Sequence, residues 1–504
     1  MALILVVFTA LSALLVASFF RPKLFPDRFP AINHYPGDYL LKKAHAEYSS
    51  NAKNLVADGV AKHNGPFRII TTLGSRIILP PRFADWVKTC KDVDHQGVVK
   101  DEYFAEYPGF EGNGAIHDAS RLLINVTKTK LAQSWQCAVF KEHISDVLEK
   151  EWTSNGVPWS PAVVARYIGR MSSAVFAGPE LARDPDWQDL ILSYTINLFN
   201  GVRALRTWPG FLRPVIHWVL PECVVCRQQL VRAKKIIDPV VQKRRDDRNA
   251  ALAEGREPKR HNDAIEWMEQ EAAAASNKGL SVSDYEPAAA QLGLAIAAMH
   301  TTTELMNQVL VDICRSEQQK PDAKLIQELR KEIEAAVAES GWTTAGIFKM
   351  RLLDSVIKET QRLKPGSTVN LERKVMRDTR LPDGTVLPKG EVIAVDTSAM
   401  WDETVFPEPE KWDAWRFYNL RGGTEKGESS AQLVSSNTEH FAFGLGKSIC
   451  PGRFMVAHEV KVAIAVILLE YDVRLAEGCD PKVFNYGFEM LADPSTMLDV
   501  RRRT

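Results

Sequence analysis

The chain opens on an unbroken apolar run. Residues 2 to 20, ALILVVFTALSALLVASFF, contain no charged side chain. As a helix these residues would extend about 29 Å at about 1.5 Å each, which matches a hydrocarbon core of about 30 Å. Arg21 and Lys23 follow the run directly and no Lys or Arg precedes it. A cleaved signal peptide wants a basic leading region and a shorter apolar core, so the pattern predicts an uncleaved anchor over residues 1–23. The basic flank then predicts that the bulk of the chain lies on the cytosolic side. Residues 24–40 are proline-rich and predict a stiff connector. Between 65 and 81, β-branched runs broken by Gly and Pro predict strands of a small sheet. From about 118 to 355 the helical pattern dominates. Within it, the mixed-charge stretch 242–260 reads as a solvated surface segment between helices. After 362, Pro, Gly and β-branched residues return, and RLPDGTVLPKGEVIAVDTS predicts strands joined by Asp-Gly and Lys-Gly turns. The apolar run from Arg453 to Val473 predicts a buried helix. The fold class is therefore mainly α with a smaller β part.

Composition narrows the function classes. The 504 residues carry 63 basic and 63 acidic side chains, so nothing favours a nucleic-acid partner. The seven cysteines are irregularly spaced, which argues against a disulfide framework and for a reducing compartment. Cys223 and Cys226 form a lone CxxC with no second pair, whereas a structural metal site wants four ligands. The NVT sequon at Asn125 would go unused on a cytosolic face.

One cysteine stands apart. In FAFGLGKSICPGRF, residues 441–454, Cys450 lies among three glycines and directly precedes Pro451. Proline suits the first turn of a helix, which predicts Cys450 at a helix N-terminus, where N–H groups and the dipole favour a thiolate. Gly444 and Gly446 allow a tight turn and a close approach to a bulky planar group. Two readings stand at this point: a soft metal ligand, or an inert buried cysteine.

The string FGLGKSICPG resembles the heme-binding loop of cytochromes P-450, F-G-x-G-x-[R/H]-x-C-x-G, with Phe443, Gly444, Gly446, Cys450 and Gly452 in register. The resemblance implies that Cys450 is the axial ligand of heme iron, that Phe443 packs beside its sulfur, and that the cofactor is heme b. Ser448 departs from the basic residue usual at its position, and Lys447 precedes it. Upstream, KETQRL supplies Glu359 and Arg362, and FPEPEKWDAWRF supplies Arg416. In the family these three form a buried charged triad with a structural role. LGLAIAAMHTTTEL resembles the long helix crossing the oxygen side of the heme. It implies that Ala297 and Ala298 leave space and that Thr301 hydrogen-bonds bound oxygen, while His300 replaces the usual acid as the second catalytic candidate. LERKV places Arg373 as a propionate-binding residue, and Lys128 and Lys130 lie near a region that contributes another basic contact.

The motifs occur in the family's order and the resemblance covers about residues 30 to 504. It implies one large heme domain over 41–504 behind the N-terminal transmembrane helix. It further implies a monooxygenase that takes O2 and electrons from NADPH through a separate NADPH-cytochrome P-450 reductase, on the cytosolic side of the endoplasmic reticulum membrane. GPFRI, LPP, HTTTEL and LERKVMRD look like fungal members that tailor secondary metabolites. Pocket segments at 103–118, 193–202, 292–302, 366–371 and 489–495, with Tyr194, Phe199, Ile296, Met299 and Val369, suit a bulky lipophilic substrate such as a terpenoid. Two alternatives are a heme-thiolate isomerase or dehydratase that needs no O2, and a non-catalytic heme-binding membrane protein.

Overall fold

The computed structural model describes residues 28–116, 121–153, 156–277 and 285–504. The expected anchor over 1–23 lies outside them. Among the described residues no helix is long and apolar enough to cross a membrane.

Two long helices form the centre. Pro287–Gln319 is the first, with Pro287 in its opening turn and the Glu286 carboxylate accepting from the Ala289 N–H at 3.0 Å. Its residues are buried almost without break from Ala288 to Cys314. Arg453–Glu470 is the second, buried from Met455 through Leu468 on nearly every side, including Glu459 and Lys461 among its apolar residues. Helices Gln136–Glu151 and Pro161–Phe176 pack around them, and their side chains share one apolar cluster. A second cluster joins Pro185–Arg206 and Pro221–Ala253 to the N-terminal half of the Pro287–Gln319 helix.

The main sheet gathers distant parts of the chain. Its strands lie in the order Phe67–Thr71, Gly74–Leu79, Val392–Asp396, Val369–Val375 and Val93–Asp94. The first two form the hairpin expected between 65 and 81. Gly74–Leu79 and Val392–Asp396 run parallel, and the remaining pairs are antiparallel. The register between Val369–Val375 and Val392–Asp396 shifts between Asn370 and Arg373, where Leu371 takes a positive φ of 56°. A bulge of this kind turns the strand and re-aims its side chains.

Two expectations are corrected here. The described part of the connector packs on the sheet, where Phe29 is buried and Ala31 bridges Arg68. Asn33, fully buried, donates to the Ala44 and Ile70 carbonyls at 3.2 and 2.8 Å. Most of the charged stretch 242–260 belongs to the Pro221–Ala253 helix. Its arginines face acids of the next helix region: Arg244 grips Asp263 through two 2.7 Å bonds, and Arg245 grips Glu269 at 2.7 and 2.8 Å. Alternating charge here is a paired helix face rather than a loop. Finally, the last helix stops at Glu470, where YDVRL takes up strict alternation of buried and exposed residues as a strand. That strand pairs with Met497–Arg502, which also pairs with Val157–Pro158.

Candidate active site

The cysteine loop is a rigid structure. Gly444 and Gly446 hold φ of 74° and 64°, which a side chain would strain, and a Cβ on Gly446 would lie 2.7 Å from the Lys88 carbonyl oxygen. The loop closes on itself through Gly444 N–H to Phe441 O at 2.8 Å and Cys450 N–H to Phe443 O at 2.8 Å. Ser436 Oγ donates to Gly444 O at 2.6 Å. From the sheet, Asn370 Nδ2 reaches the Phe441 and Ala442 carbonyls at 3.0 and 3.1 Å. The bulge beside Asn370 sets that reach.

The helix begins at Arg453, with Gly452 as its cap. Pro451 therefore precedes the helix rather than occupying its first turn, and Cys450 stands just outside the N-terminus. Its sulfur still faces the N–H groups of Gly452 and Arg453. Burial pushes the thiol up, while those N–H groups and the Arg453 charge oppose the shift. Gly452 has φ near −87°, and a Cβ there would make only an ordinary 3.7 Å contact with Thr127, so the backbone does not demand glycine at this position. Phe443 is half-buried against the main apolar cluster, as is Ala298 of the central helix.

The central helix supplies a second set of candidate residues. Ala297 and Thr301, one turn apart, are exposed although the helix around them is buried, and Ala298 and His300 are half-exposed. Side chains four apart lie on one face, so Ala297 and Thr301 share a face that the packing leaves uncovered. Thr301 Oγ1 makes a weak bond to the Ala297 carbonyl at 3.4 Å. The ring of His300 lies 6.0 Å from that of Phe199. Tyr194, Ile296 and Met299 are buried in the second apolar cluster, with Phe199 at its margin. Val369 lies elsewhere, in the cluster that contains Tyr48, Phe67 and Phe488, so it packs the core.

Arg373 projects from the bulged strand. It is buried, donates to the Glu372 carbonyl at 2.7 Å, and makes no ion pair among the described residues. Burial lowers its pKa, with Asp94 and Glu372 acting against that. A buried guanidinium with a single carbonyl partner calls for an anion. Arg121 adds a buried Nε without a partner. Lys128, Lys130 and Lys447 are exposed at the surface.

These features match heme b. A cysteine sulfur on a pinned loop offers an iron ligand, small side chains on the central helix leave room, and a buried cation suits a propionate carboxylate. The residues that would hold the group are Cys450, Phe443 and Arg373, with Gly444 and Gly446 shaping the loop. Cys223 and Cys226 sit fully buried in a helix, and burial pushes their thiols up to about 11 and about 12.

The charged triad forms as a unit. Glu359 and Arg362 are fully buried and share two bonds of 2.8 and 2.9 Å. Arg416 Nε donates to the same carboxylate at 3.0 Å, and the Asp413 N–H at 3.2 Å. Arg362 also holds the Met400 carbonyl at 2.7 Å, and Arg416 the Pro407 carbonyl at 2.7 Å. Sequence reasoning passed over the neighbouring Lys358. Its buried ammonium holds three carbonyls, of Ser430, Gln432 and Ser435, at 2.8, 2.7 and 3.2 Å. Burial pulls its pKa down to about 7, against the raising effect of Asp354. Lys358 thus anchors the segment leading into Ser436 and the cysteine loop. A charged residue on the same short helix as Glu359 and Arg362 was the available signal. For Asn370 there was none.

Comparison with known proteins agrees with this geometry. The family model for Cytochrome P450 matches residues 175–498. The chain is similar to cytochrome P450 monooxygenase adrA of Penicillium rubens, 38% identical over 93% of this chain and 90% of the relative. It is similar to cytochrome P450 monooxygenase pyr3 of Aspergillus fumigatus, 35% identical over 95% and 90%. A relative from Gibberella fujikuroi, cytochrome P450 monooxygenase 1, is 36% identical over 87% of this chain and 98% of its own length. A pinned cysteine loop, a helix wall of small residues and relatives of nearly full length lead to one conclusion: the chain belongs to the cytochrome P450 family and is a heme-dependent monooxygenase.

Proposed function

We propose that this monooxygenase is anchored by residues 1–23 in the endoplasmic reticulum membrane, faces the cytosol, and oxidises a bulky lipophilic secondary metabolite of terpenoid class with electrons from NADPH-cytochrome P-450 reductase. The observation that carries the reading is the pairing of a pinned cysteine loop with the Ala297–Thr301 face of an otherwise buried helix. When bound, heme supplies the oxygen chemistry, and a thiolate ligand donates electron density that favours O–O cleavage. Cys450 would hold the iron and Arg373 would pair with a carboxylate of the group. Ala297 and Ala298 would leave room beside it, and Thr301 would hold a proton at its Oγ1. Phe199, whose ring lies 6.0 Å from that of His300, makes the neighbouring surface apolar, which favours a lipophilic substrate. The reductase docks on the face nearest Cys450. Expression beside a fungal reductase, with a panel of terpenoids followed by mass spectrometry, identifies the substrate.

Thr301→Ala tests the proton role. The variant binds substrate and accepts electrons as the wild type does, while product per NADPH falls and peroxide rises. General acid–base catalysis contributes about 100- to 10,000-fold, which bounds the loss from above. Wild-type coupling in this variant would remove Thr301 from proton delivery. His300→Ala is the companion. A relay role predicts uncoupling with an altered pH profile. A packing role predicts lower heme retention with unchanged coupling.

Removal of residues 1–23 tests the anchor. Protein shifts from the membrane fraction toward the soluble fraction, and heme binding survives because no site residue lies in that segment. A truncated chain that stays wholly with membranes contradicts the assignment.

A further inference from the structure

Four charged side chains from four separate elements converge on one buried cluster. Arg76 lies on strand Gly74–Leu79, Glu102 ends helix His95–Glu102, Glu372 lies on strand Val369–Val375, and Arg206 ends helix Pro185–Arg206. The Arg76 and Arg206 side chains are 2% and 7% exposed, and that of Glu102 is 11% exposed. Burial pulls the Arg206 guanidinium down to about 10 and pushes the Glu102 carboxyl up to about 7. Desolvation offsets much of the attraction between such charges, so a buried ion network is a weak source of stability. What it supplies is fixed geometry.

The contacts run without a gap from Phe199 to Arg373. Tyr103, next to Glu102 in the chain, meets Phe199 edge-on with ring centroids 6.3 Å apart. Arg206 Nε donates to the Glu102 carbonyl at 2.9 Å, and its guanidinium stands 3.7 Å from the Glu102 carboxylate. The same guanidinium lies 5.8 Å from the rings of Tyr103 and Phe104. Arg76 pairs with the Glu102 carboxylate, and its Nε donates to the Glu372 carboxylate at 3.2 Å. Arg373 then donates to the Glu372 carbonyl at 2.7 Å, and His95 Nδ1 meets that carbonyl at 3.2 Å.

Glu372 needs this support because of where it lies. The ladder to Val392–Asp396 pairs Asn370 and Arg373 but skips Leu371 and Glu372. Bulged residues are not fixed by ladder bonds, and the strand bends at them. The direction in which Arg373 leaves the strand therefore depends on what holds Glu372. Arg76 grips its carboxylate and His95 its carbonyl. Arg76 is in turn held through Glu102 to Arg206, at the end of the helix that carries Phe199.

We propose that Arg76, Glu102, Arg206 and Glu372 are positioning residues that fix Arg373 on the heme carboxylate and make its hold depend on the seating of helix Pro185–Arg206. The two ends are then linked energetically. A ligand that seats the helix through Phe199 tightens the carboxylate grip, and the grip favours the seated helix by the same factor. The proposal rests on the placement of Arg373 at a heme carboxylate, and its test separates the two.

Heme transfer from the ferric holoenzyme to excess apomyoglobin measures the grip. Arg373→Gln speeds transfer about tenfold and Arg206→Met about fivefold, and the double variant is no faster than Arg373→Gln alone, as expected of residues that act through one another. Methionine keeps an apolar stem against Tyr103 and Phe104, and Glu102 keeps Arg76, so no buried charge is left unpaired. Resonance Raman spectroscopy supplies a readout that general destabilisation does not move: the heme carboxylate bending band shifts in Arg206→Met. Arg203→Gln is the control. It lies on the same helix, exposed, with its guanidinium over the Tyr486 ring and outside the cluster, so transfer and band stay as in the wild type. Wild-type transfer in Arg206→Met overturns the proposal and leaves Arg373 in place. So does an equal acceleration by Arg206→Met in the wild-type and Arg373→Gln backgrounds. Wild-type transfer in Arg373→Gln removes Arg373 from the heme and the proposal with it.

Discussion

Cys450→Ser abolishes the red-shifted carbon monoxide spectrum of thiolate-ligated heme and lowers heme occupancy. Oxygen is a harder and weaker donor toward this iron than sulfur. The substitution is nearly isosteric, and the bonds that hold the loop do not use the side chain. Cys450 N–H still reaches Phe443 O, and Ser436 still holds Gly444. Loss of the spectrum with retained far-ultraviolet dichroism therefore isolates the ligand. Cys223→Ala and Cys226→Ala are the controls. Both thiols are fully buried within the apolar cluster that flanks the Pro185–Arg206 helix, so their loss costs packing and leaves the spectrum unchanged. A Cys450→Ser protein that keeps the wild-type spectrum would remove this residue from the iron.

Glu359→Ala destabilises the fold by about 3–5 kcal/mol, the range for breaking a buried ion pair from one side. Arg362 is then left fully buried with only the Met400 carbonyl, and Arg416 loses its carboxylate. A lowered urea midpoint and heme loss on purification measure the effect. The comparison is Glu408→Ala. Its partner Lys411 lies 2.8 Å away, but the two side chains are 51% and 71% exposed, so removal costs about 1 kcal/mol or less. Equal midpoints for the two variants would show that the triad is not holding the fold.

What was legible in the sequence is what is local. The positive-φ glycines and the lone cysteine of 441–454 lie within one short stretch, and so do Glu359 and Arg362. The Gly65–Pro81 hairpin and the Asp-Gly turn at 383–384 follow from alternation and turn chemistry. What stayed hidden is long-range. The sheet pairs residue 77 with residue 393, and no periodicity encodes which strands meet. Asn370 reads as an ordinary polar strand residue until the bulge turns it onto the cysteine loop. Lys358 reads as an exposed helix residue until three carbonyls of 430–435 close over it. Pro451 and Glu470 were misplaced by two or three residues because helix ends are set by caps and by neighbouring strands, not by the apolar run alone.

The measurement closest to the central claim is isotopic. The terpenoid transformed in the panel is incubated with holoenzyme, reductase and NADPH under 18O2, and the product is weighed by mass spectrometry. A heme-thiolate monooxygenase gives a product carrying a single 18O atom from the gas, and no product under argon. A product of unchanged mass that forms equally under argon would contradict the account and assign the site to an oxygen-independent isomerase.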